Sequence, residues 1–192
     1  MPAATGGGRR YDPQRRQRII DAAIRVVGAK GIAGLSHRSV AAEADVPLGS
    51  TTYHFKTLDD LLIAALRQVN EGLAPLPDTD DPDLAGALAR LLGTFLTADR
   101  ARAELEYELY LAALRRPALR PVAAEWTESV SAALARRVDP RTARALVAVM
   151  DGISLQVLLT DTEYDEAYTR ELLTRVLSGA AGTDAPARPV GA

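Results

Sequence analysis

The sequence predicts an all-α fold of about nine helices. Apolar residues recur at helical spacing in every segment between the breaks of the chain, and no stretch alternates apolar and polar residues as a half-buried strand does. With 192 residues, of which 47% are hydrophobic and 25% charged, the chain is long and apolar enough for one or two globular domains.

Three segments interrupt the helical pattern. Residues 1–10 are small and glycine-rich and then basic, residues 74–83 (APLPDTDDPD) contain three prolines and four aspartates, and residues 180–192 are rich in Ala, Gly and Pro. Such segments cannot bury enough apolar surface to become ordered, so we predict a flexible basic arm, a linker and a flexible tail. Between them lie a first domain at 11–73 and a second domain at 84–179.

The first domain begins with a predicted helix over 13–30, which carries a single apolar stripe. The stripe consists of Ile19, Ile20, Ala23, Ile24 and Val27, and it stops at Gly31. Two short helices follow, near 37–44 and 48–54. The tight connection 45–47 (DVP) joins them, and we expect Val46 to be buried in it.

A fourth helix is predicted over 58–73. Its apolar positions repeat the same spacing: Leu58, Leu61, Leu62, Ala65, Leu66 and Val69. Capping residues support these helix starts, because Ser36 can cap the second helix and Thr57, with Asp60 three residues later, resembles a capping box for the fourth.

The second domain opens with a helix at Asp81-Pro82, since proline is well tolerated at the first helical position. Its apolar residues are Leu84, Leu88, Leu91, Leu92, Phe95 and Leu96. Two further helices are predicted over about 101–115, ended by Pro117, and over about 118–137.

The last two predicted helices are the most apolar part of the chain. Asp139-Pro140 opens a helix that runs to about Leu159 and is apolar nearly all round, so it should be buried on most sides. The final helix spans about 163–178 and ends at Gly179.

Composition argues against several classes of protein. The chain has no cysteine, so it has neither disulfides nor thiolate metal sites, and a cytoplasmic setting is expected. Its two histidines, His37 and His54, fall in one short stretch, which leaves no plausible Ser/His/Asp catalytic set and no multi-histidine metal site elsewhere. No run of about 18 apolar residues and no signal peptide is evident, so we expect no membrane partner, and we expect no cofactor or metal.

Charge is unevenly distributed along the chain. Residues 1–70 hold ten Lys/Arg and six Asp/Glu, whereas residues 71–192 hold thirteen and nineteen. A basic front and an acidic remainder suggest that only the front meets phosphate, although an asymmetry of this size also arises by chance.

The segment 35–62 (LSHRSVAAEADVPLGSTTYHFKTLDDLL) carries the most specific pattern. Two short helices joined by a tight turn can project the second helix into a DNA major groove. The segment resembles the DNA-binding signature of the TetR family of transcriptional regulators, a resemblance that covers about 13–73. The matching residues are Gly31, Leu35, Ser36, Arg38, Val40, Ala41, Val46, Gly49, Tyr53, His54, Phe55, Leu61 and Leu62.

The resemblance implies a DNA-binding surface between Ser36 and Lys56. Its expected residues are Ser36, His37, Arg38, Leu48, Gly49, Ser50, Thr51, Thr52, Tyr53, His54 and Lys56. Arg38 suits guanine or phosphate, hydroxyls and Lys56 suit phosphate, and Gly49 allows close backbone approach, while Phe55 is expected in the core.

The chain departs from the family pattern at four positions. The family commonly has Gly at Asp45, Lys at Leu48, Tyr at Thr52 and Lys at Leu58. Two expected phosphate-binding lysines are therefore absent, and Leu48 can instead contact a thymine methyl group. The mode of DNA binding is predicted, but the operator sequence is not.

For the second domain the resemblance implies a pocket for an unknown small-molecule effector and a homodimer interface through residues 141–178. Pocket candidates are Leu92, Phe95, Leu96, Tyr107, Tyr110, Leu111, Leu114, Trp126, Met150 and Asp151, with Glu104, Glu108, Asp151 and Gln156 as possible polar anchors. Small residues that permit close approach of a second copy are Ala143, Ala145, Ala148, Gly152 and Ser154. A monomer core is the alternative for the last two helices. Asp151, within an apolar helix, needs a partner, which could be Arg144, a second subunit or a cationic ligand.

These expectations describe a sequence-specific, DNA-binding transcriptional regulator, a ligand-responsive repressor that binds a pseudo-palindromic, double-stranded operator as a dimer. The alternatives are a helical protein-interaction module without DNA binding and, less favoured, a small enzyme.

Overall fold

The computed structural model describes residues 13–71, 81–160 and 162–181, and within these ranges the fold is all-α, with no strand. The described residues form nine α-helices, in agreement with the about nine that the sequence predicts, and three short 3-10 segments that the sequence did not predict. The predicted arm at 1–10 lies outside the described residues, as do most of the predicted linker and the tail beyond residue 181.

The contacts divide the chain into two compact units, residues 1–65 and residues 66–192. The first unit contains α1 (Arg15–Lys30), α2 (His37–Glu43), α3 (Leu48–His54) and the start of α4 (Leu58–Glu71). The second unit contains the end of α4 and then α5 (Leu84–Ala98), α6 (Arg100–Leu111), α7 (Arg120–Leu134), α8 (Pro140–Thr160) and α9 (Glu166–Ala181).

Side chains at the helix starts define the first unit. The Ser39 amide donates to Ser36 Oγ at 3.0 Å while the Ser36 amide donates to Ser39 Oγ at 2.9 Å, so α2 begins with a reciprocal capping box. Thr57 and Asp60 do the same for α4, at 3.0 and 3.1 Å. Both predicted caps are confirmed. In the core of this unit Phe55 is buried.

The second unit starts differently from the prediction. The Asp83 carboxylate accepts a hydrogen bond from the Gly86 amide at 3.0 Å and caps α5, so the helix begins at Leu84 and Pro82 lies before it. At the other end, α9 begins at Glu166 and continues through Gly179 to Ala181. The expected stop at Gly179 is wrong, because a single glycine weakens a helix without breaking it.

Helix α8 is the central element of the second unit and contacts α5, α6, α7 and α9. It is not buried all round, however, since Leu159 is 77% exposed. By length and composition alone, α8 is the one helix among the described residues that could cross a membrane. Within the protein, 39% of its most apolar stretch of 18 residues is buried.

Candidate DNA-binding surface and ligand cavity

The turn between α2 and α3 positions the second short helix. The Val46 amide donates to the Ala41 carbonyl at 3.0 Å, and Asp45 takes a left-handed conformation with φ of 50°. Val46 is half-buried. Both helices pack against α1, which leaves one face of the pair open to solvent.

That open face collects six of the eleven residues predicted to contact DNA. The exposed ones are Arg38, Leu48, Gly49, Thr52, Tyr53 and Lys56. Tyr53 is 82% exposed and Leu48 46% exposed, so both side chains are accessible to a partner. A Cβ atom added at Gly49 would meet nothing within 4 Å, so the protein's own packing does not require glycine there.

Four predicted residues are half-buried: Ser36, His37, Ser50 and His54. The Ser36 hydroxyl accepts the capping bond described above and lies 3.0 Å from Ser39 Oγ. The His54 ring packs edge-on against Tyr53 at 5.2 Å between centroids. Nδ1 of His37 is buried and has no hydrogen-bond partner in the described part of the chain.

Thr51 does not belong to this surface, and its predicted phosphate contact is wrong. The side chain is fully buried, and Oγ1 donates to the Leu48 carbonyl at 2.8 Å. Thr51 lies on the face of α3 that packs inward, and its hydroxyl is satisfied by its own helix.

Replacing Thr51 with valine is therefore expected to cost about 1 kcal/mol of folding free energy, the value of a buried hydrogen bond, and to leave DNA affinity unchanged. The matched variant Thr52→Val, on the exposed face, should leave the unfolding midpoint unchanged and weaken DNA binding. Urea unfolding and fluorescence anisotropy on labelled DNA measure the two effects. A loss of DNA affinity in folded Thr51→Val would contradict this assignment.

The left-handed turn explains a departure from the family pattern. Only glycine, asparagine and aspartate adopt a positive φ readily, and Asp45 is exposed, so its side chain contributes little packing. We expect Asp45→Gly to fold with near-unchanged stability and Asp45→Val to lose about 1–2 kcal/mol, because a β-branched residue is strained there. Thermal unfolding of the two variants compares them; equal stability would refute the strain.

A cavity of about 410 Å³ lies within the second unit. Seven of the ten predicted residues line it: Leu92, Phe95, Tyr107, Tyr110, Trp126, Met150 and Asp151. The sequence did not suggest nine others: Asn70, Leu91, Glu106, Ser129, Val130, Ala133, Arg136, Val147 and Ser154. The sequence contained one signal for some of them, because Trp126, Ser129, Val130 and Ala133 recur at spacings of three and four and so share one face of α7.

Three predicted pocket residues do not line the cavity. Leu96 is buried in the adjoining apolar cluster with Ile153 and Val157. Leu114 is 71% exposed, and Leu111 is half-buried elsewhere. The α-helix ends at Leu111 and a 3-10 turn follows, so extending the helical period to residue 115 placed Leu114 on the wrong face.

Aromatic rings form much of the cavity wall. The Phe95 and Tyr107 centroids are 6.4 Å apart, and the Tyr107 and Tyr110 rings meet edge to face, also at 6.4 Å. The Tyr110 hydroxyl shares a hydrogen bond with Thr127 at 3.2 Å. Such a wall offers both apolar area and ring faces to a ligand.

Two carboxylates also line the cavity, and they have different partners. Glu106, 7% exposed, accepts from Arg102 Nε at 2.9 Å; burial raises its pKa, while Arg102 opposes the rise. Asp151 accepts from the Tyr107 hydroxyl at 3.1 Å. Burial raises the pKa of Asp151, and the Tyr107 hydrogen bond opposes this.

Tyr107 is thus the protein partner of Asp151, and Arg144 is exposed. Burial, and then the nearby Asp151 charge, raise the pKa of Tyr107, which keeps its hydroxyl a proton donor. Of the other predicted anchors, Glu104 is exposed and pairs with Arg100 at 2.9 Å, and Gln156 is exposed. No group of three or more metal-ligating side chains occurs within the described ranges.

A third feature is a seam of small and apolar residues along α8. It consists of Ala145, Ala148, Gly152, Leu155 and Leu159, spaced alternately by three and four residues, and all are at least partly exposed. A Cβ atom at Gly152 would meet nothing within 4 Å. The predicted interface residues Ala143 and Ser154 are fully buried instead, and they face the interior of their own unit.

Known proteins resemble both units. Residues 19–65 match the family described as bacterial regulatory proteins, tetR family, and residues 79–179 match that described as tetracyclin repressor-like, C-terminal domain. The HTH-type nicotine-responsive transcriptional repressor HdnoR of Paenarthrobacter nicotinovorans is 30% identical over 161 residues, which cover 74% of this chain and 82% of HdnoR.

Solved structures are more similar still. The multidrug binding protein EbrR complexed with ethidium is 74% identical, with a TM-score of 0.79 over 84% of this chain and 98% of EbrR. EbrR has also been solved with imidazole, proflavin and malachite green. A TetR-family protein from Streptomyces coelicolor A3 is 75% identical, with a TM-score of 0.78 over 85% of this chain and 98% of that one.

The two family matches together cover the helix-turn-helix and all of the cavity lining except Asn70, and HdnoR is a transcriptional repressor. The chain therefore belongs to the TetR family and is a ligand-responsive, DNA-binding transcriptional regulator.

Proposed function

We propose that this protein is a cytoplasmic, non-enzymatic repressor that binds a pseudo-palindromic operator as a homodimer and is released from it by lipophilic aromatic cations. The observation that carries the ligand class is the aromatic cavity with an acidic side chain, Asp151, that no basic side chain of the described residues neutralises. The proposed DNA-contacting residues are the six exposed ones: Arg38 on α2, Leu48, Gly49, Thr52 and Tyr53 on α3, and Lys56 just after α3.

The ligands of EbrR support this ligand class. Ethidium, proflavin and malachite green are aromatic compounds that carry a positive charge near neutral pH. The ring faces of Phe95, Tyr107, Tyr110 and Trp126 suit such groups through stacking and cation–π attraction. A cavity of about 410 Å³ lies within the usual range for small-molecule sites.

The proposed dimer gives the DNA-binding surface its symmetry. Two α3 helices related by a two-fold axis meet half-sites about one helical turn apart, or a multiple of that spacing. The α8 seam, with α9 beside it, is the proposed contact between the two copies. A second conformation of the dimer would hold the two α3 helices at a spacing that does not match the half-sites. A ligand that binds this conformation more tightly shifts the dimer population toward it and away from DNA.

Selection of genomic DNA fragments with the purified protein at two salt concentrations, followed by footprinting, tests the function. We expect an enriched pseudo-palindrome whose affinity falls steeply with salt, and ethidium should release the protein from it. Failure to enrich any sequence at low salt would overturn the proposal of a repressor that acts on a pseudo-palindromic operator. Enrichment without release by ethidium would overturn the ligand class alone.

A further inference from the structure

The two carboxylates that line the cavity have different partners, and this difference affects how the cavity recognises a cation. We infer that Asp151 is the counter-ion for the charged centre of the effector, and that entry of the cation favours loss of its proton. The exchange is balanced: a neutral carboxyl and a cation become a carboxylate–cation pair and one released proton. The inference rests on the proposed ligand class and deepens it.

Glu106 already has a partner that neutralises its charge. Its carboxylate forms an ion pair with Arg102 at 2.9 Å and is 92% inaccessible to solvent, since 8% of the side chain is exposed. Among the described residues, the carboxylate of Asp151 has one hydrogen-bond partner, the neutral Tyr107 hydroxyl. In the described part of the chain no Lys or Arg lies within ion-pair distance of Asp151. A cation entering the cavity therefore meets one carboxyl group that no basic side chain of the described residues pairs with.

The surroundings of Asp151 favour its neutral form in the empty cavity. Helix α6 presents Glu106, Tyr107 and Tyr110; α5 presents only apolar lining residues, and α7 presents none that titrate. Arg136, just after α7, lines the cavity but is exposed. The described part of α9 contributes nothing to the lining.

The sign of the pH dependence follows from these contacts. Burial raises the pKa of Asp151 above its ordinary value of 3.8, and a bound cation lowers it again. At a pH between the two values, binding releases up to one proton, so affinity rises by at most about tenfold per pH unit. Above the raised pKa the carboxylate is already charged, and affinity becomes independent of pH.

Ethidium is the suitable probe because its charge is permanent and does not titrate. Fluorescence titration of the protein from about pH 4 to about pH 8 should show affinity rising with pH and then levelling. Asp151→Asn keeps an acceptor for the Tyr107 hydroxyl, and its ethidium affinity should be about tenfold lower at high pH and flat with pH. Calorimetry in two buffers of different ionisation enthalpy should show proton release from the parent protein and none from Asp151→Asn.

Two further variants separate charge from position. Tyr107→Phe removes the hydrogen bond that lowers the pKa of Asp151, so the rise in affinity should move to higher pH. Glu104→Gln removes an exposed carboxylate from the same helix and should retain both the affinity and the pH profile.

The possible results of these titrations distinguish failure of the proposed ligand class from failure of the inference about Asp151. Absence of ethidium binding at every pH would overturn the proposed ligand class, and this inference with it. Binding that does not change with pH, or that keeps its pH slope in Asp151→Asn, would overturn the inference and leave the ligand class standing. A slope lost in Glu106→Gln but kept in Asp151→Asn would assign the counter-ion to Glu106 instead.

Discussion

Replacing Gly152 with arginine is expected to leave each protomer folded and to weaken operator binding by about a hundredfold or more. The size of the effect comes from avidity, because joining two DNA-binding units raises affinity by about 10²–10⁴ without any new contact. A variant that cannot dimerise retains α2 and α3 unchanged but must bind each half-site alone.

The geometry at Gly152 makes the change selective. Apart from its chain neighbours and the backbone of its own helix, no described residue lies within 4 Å of a Cβ atom at this position, and arginine has a higher helix propensity than glycine. The seam around it follows a spacing of three and four residues, as in the contact line of two packed helices. A guanidinium placed on that line would be desolvated against a second copy without a partner, which opposes association strongly.

Light scattering after size exclusion measures the state of assembly, circular dichroism the helical content, and anisotropy the affinity for the selected operator. The matched control is Ala124→Arg, which places the same side chain on an exposed position of α7 and should behave as the parent. A Gly152→Arg protein that remains dimeric and binds operator normally would exclude this seam of α8 from the interface.

Local sequence signals were sufficient to place the starts of two helices in the first unit. The starts of α2 and α4 depend on side chains three residues apart, Ser36 with Ser39 and Thr57 with Asp60, so the sequence contains all that is needed to place them. Thr51 was misplaced because a threonine suits either an exposed or a buried position on a helix. Its burial is decided by the packing of α3 on α1 and α2, which separate parts of the sequence provide.

The cavity was predictable in outline and not in its chemistry. Large aromatic and apolar residues at helical spacing mark the inward faces, and most of the predicted lining residues are there. The hydrogen bond between Tyr107 and Asp151 was not predicted, because the two residues lie on different helices and are 44 residues apart in sequence. That Glu106 rather than Glu104 points inward follows from the exact pitch of α6, which sequence spacing alone did not resolve.

On the proposed DNA surface, Arg38→Ala is expected to weaken operator binding by about 1–3 kcal/mol and to relax the preference at one base position. Arg38 is exposed at the first turn of α2, and its guanidinium can contact two acceptors on a guanine edge at once. Its loss should therefore penalise the correct operator more than non-specific DNA.

Lys56→Ala is the matched variant, because Lys56 is equally an exposed cation but lies after the end of α3, where only backbone phosphates are expected. A phosphate contact carries no sequence information. Its removal should weaken all sequences alike and reduce the slope of log affinity against log salt by about 1. Competition binding with operators substituted one base pair at a time, repeated at several salt concentrations, distinguishes the two variants. If Arg38→Ala kept the full base preference and lost only salt dependence, Arg38 would be a phosphate contact, and the base recognition would rest with the exposed face of α3 around Leu48 and Tyr53.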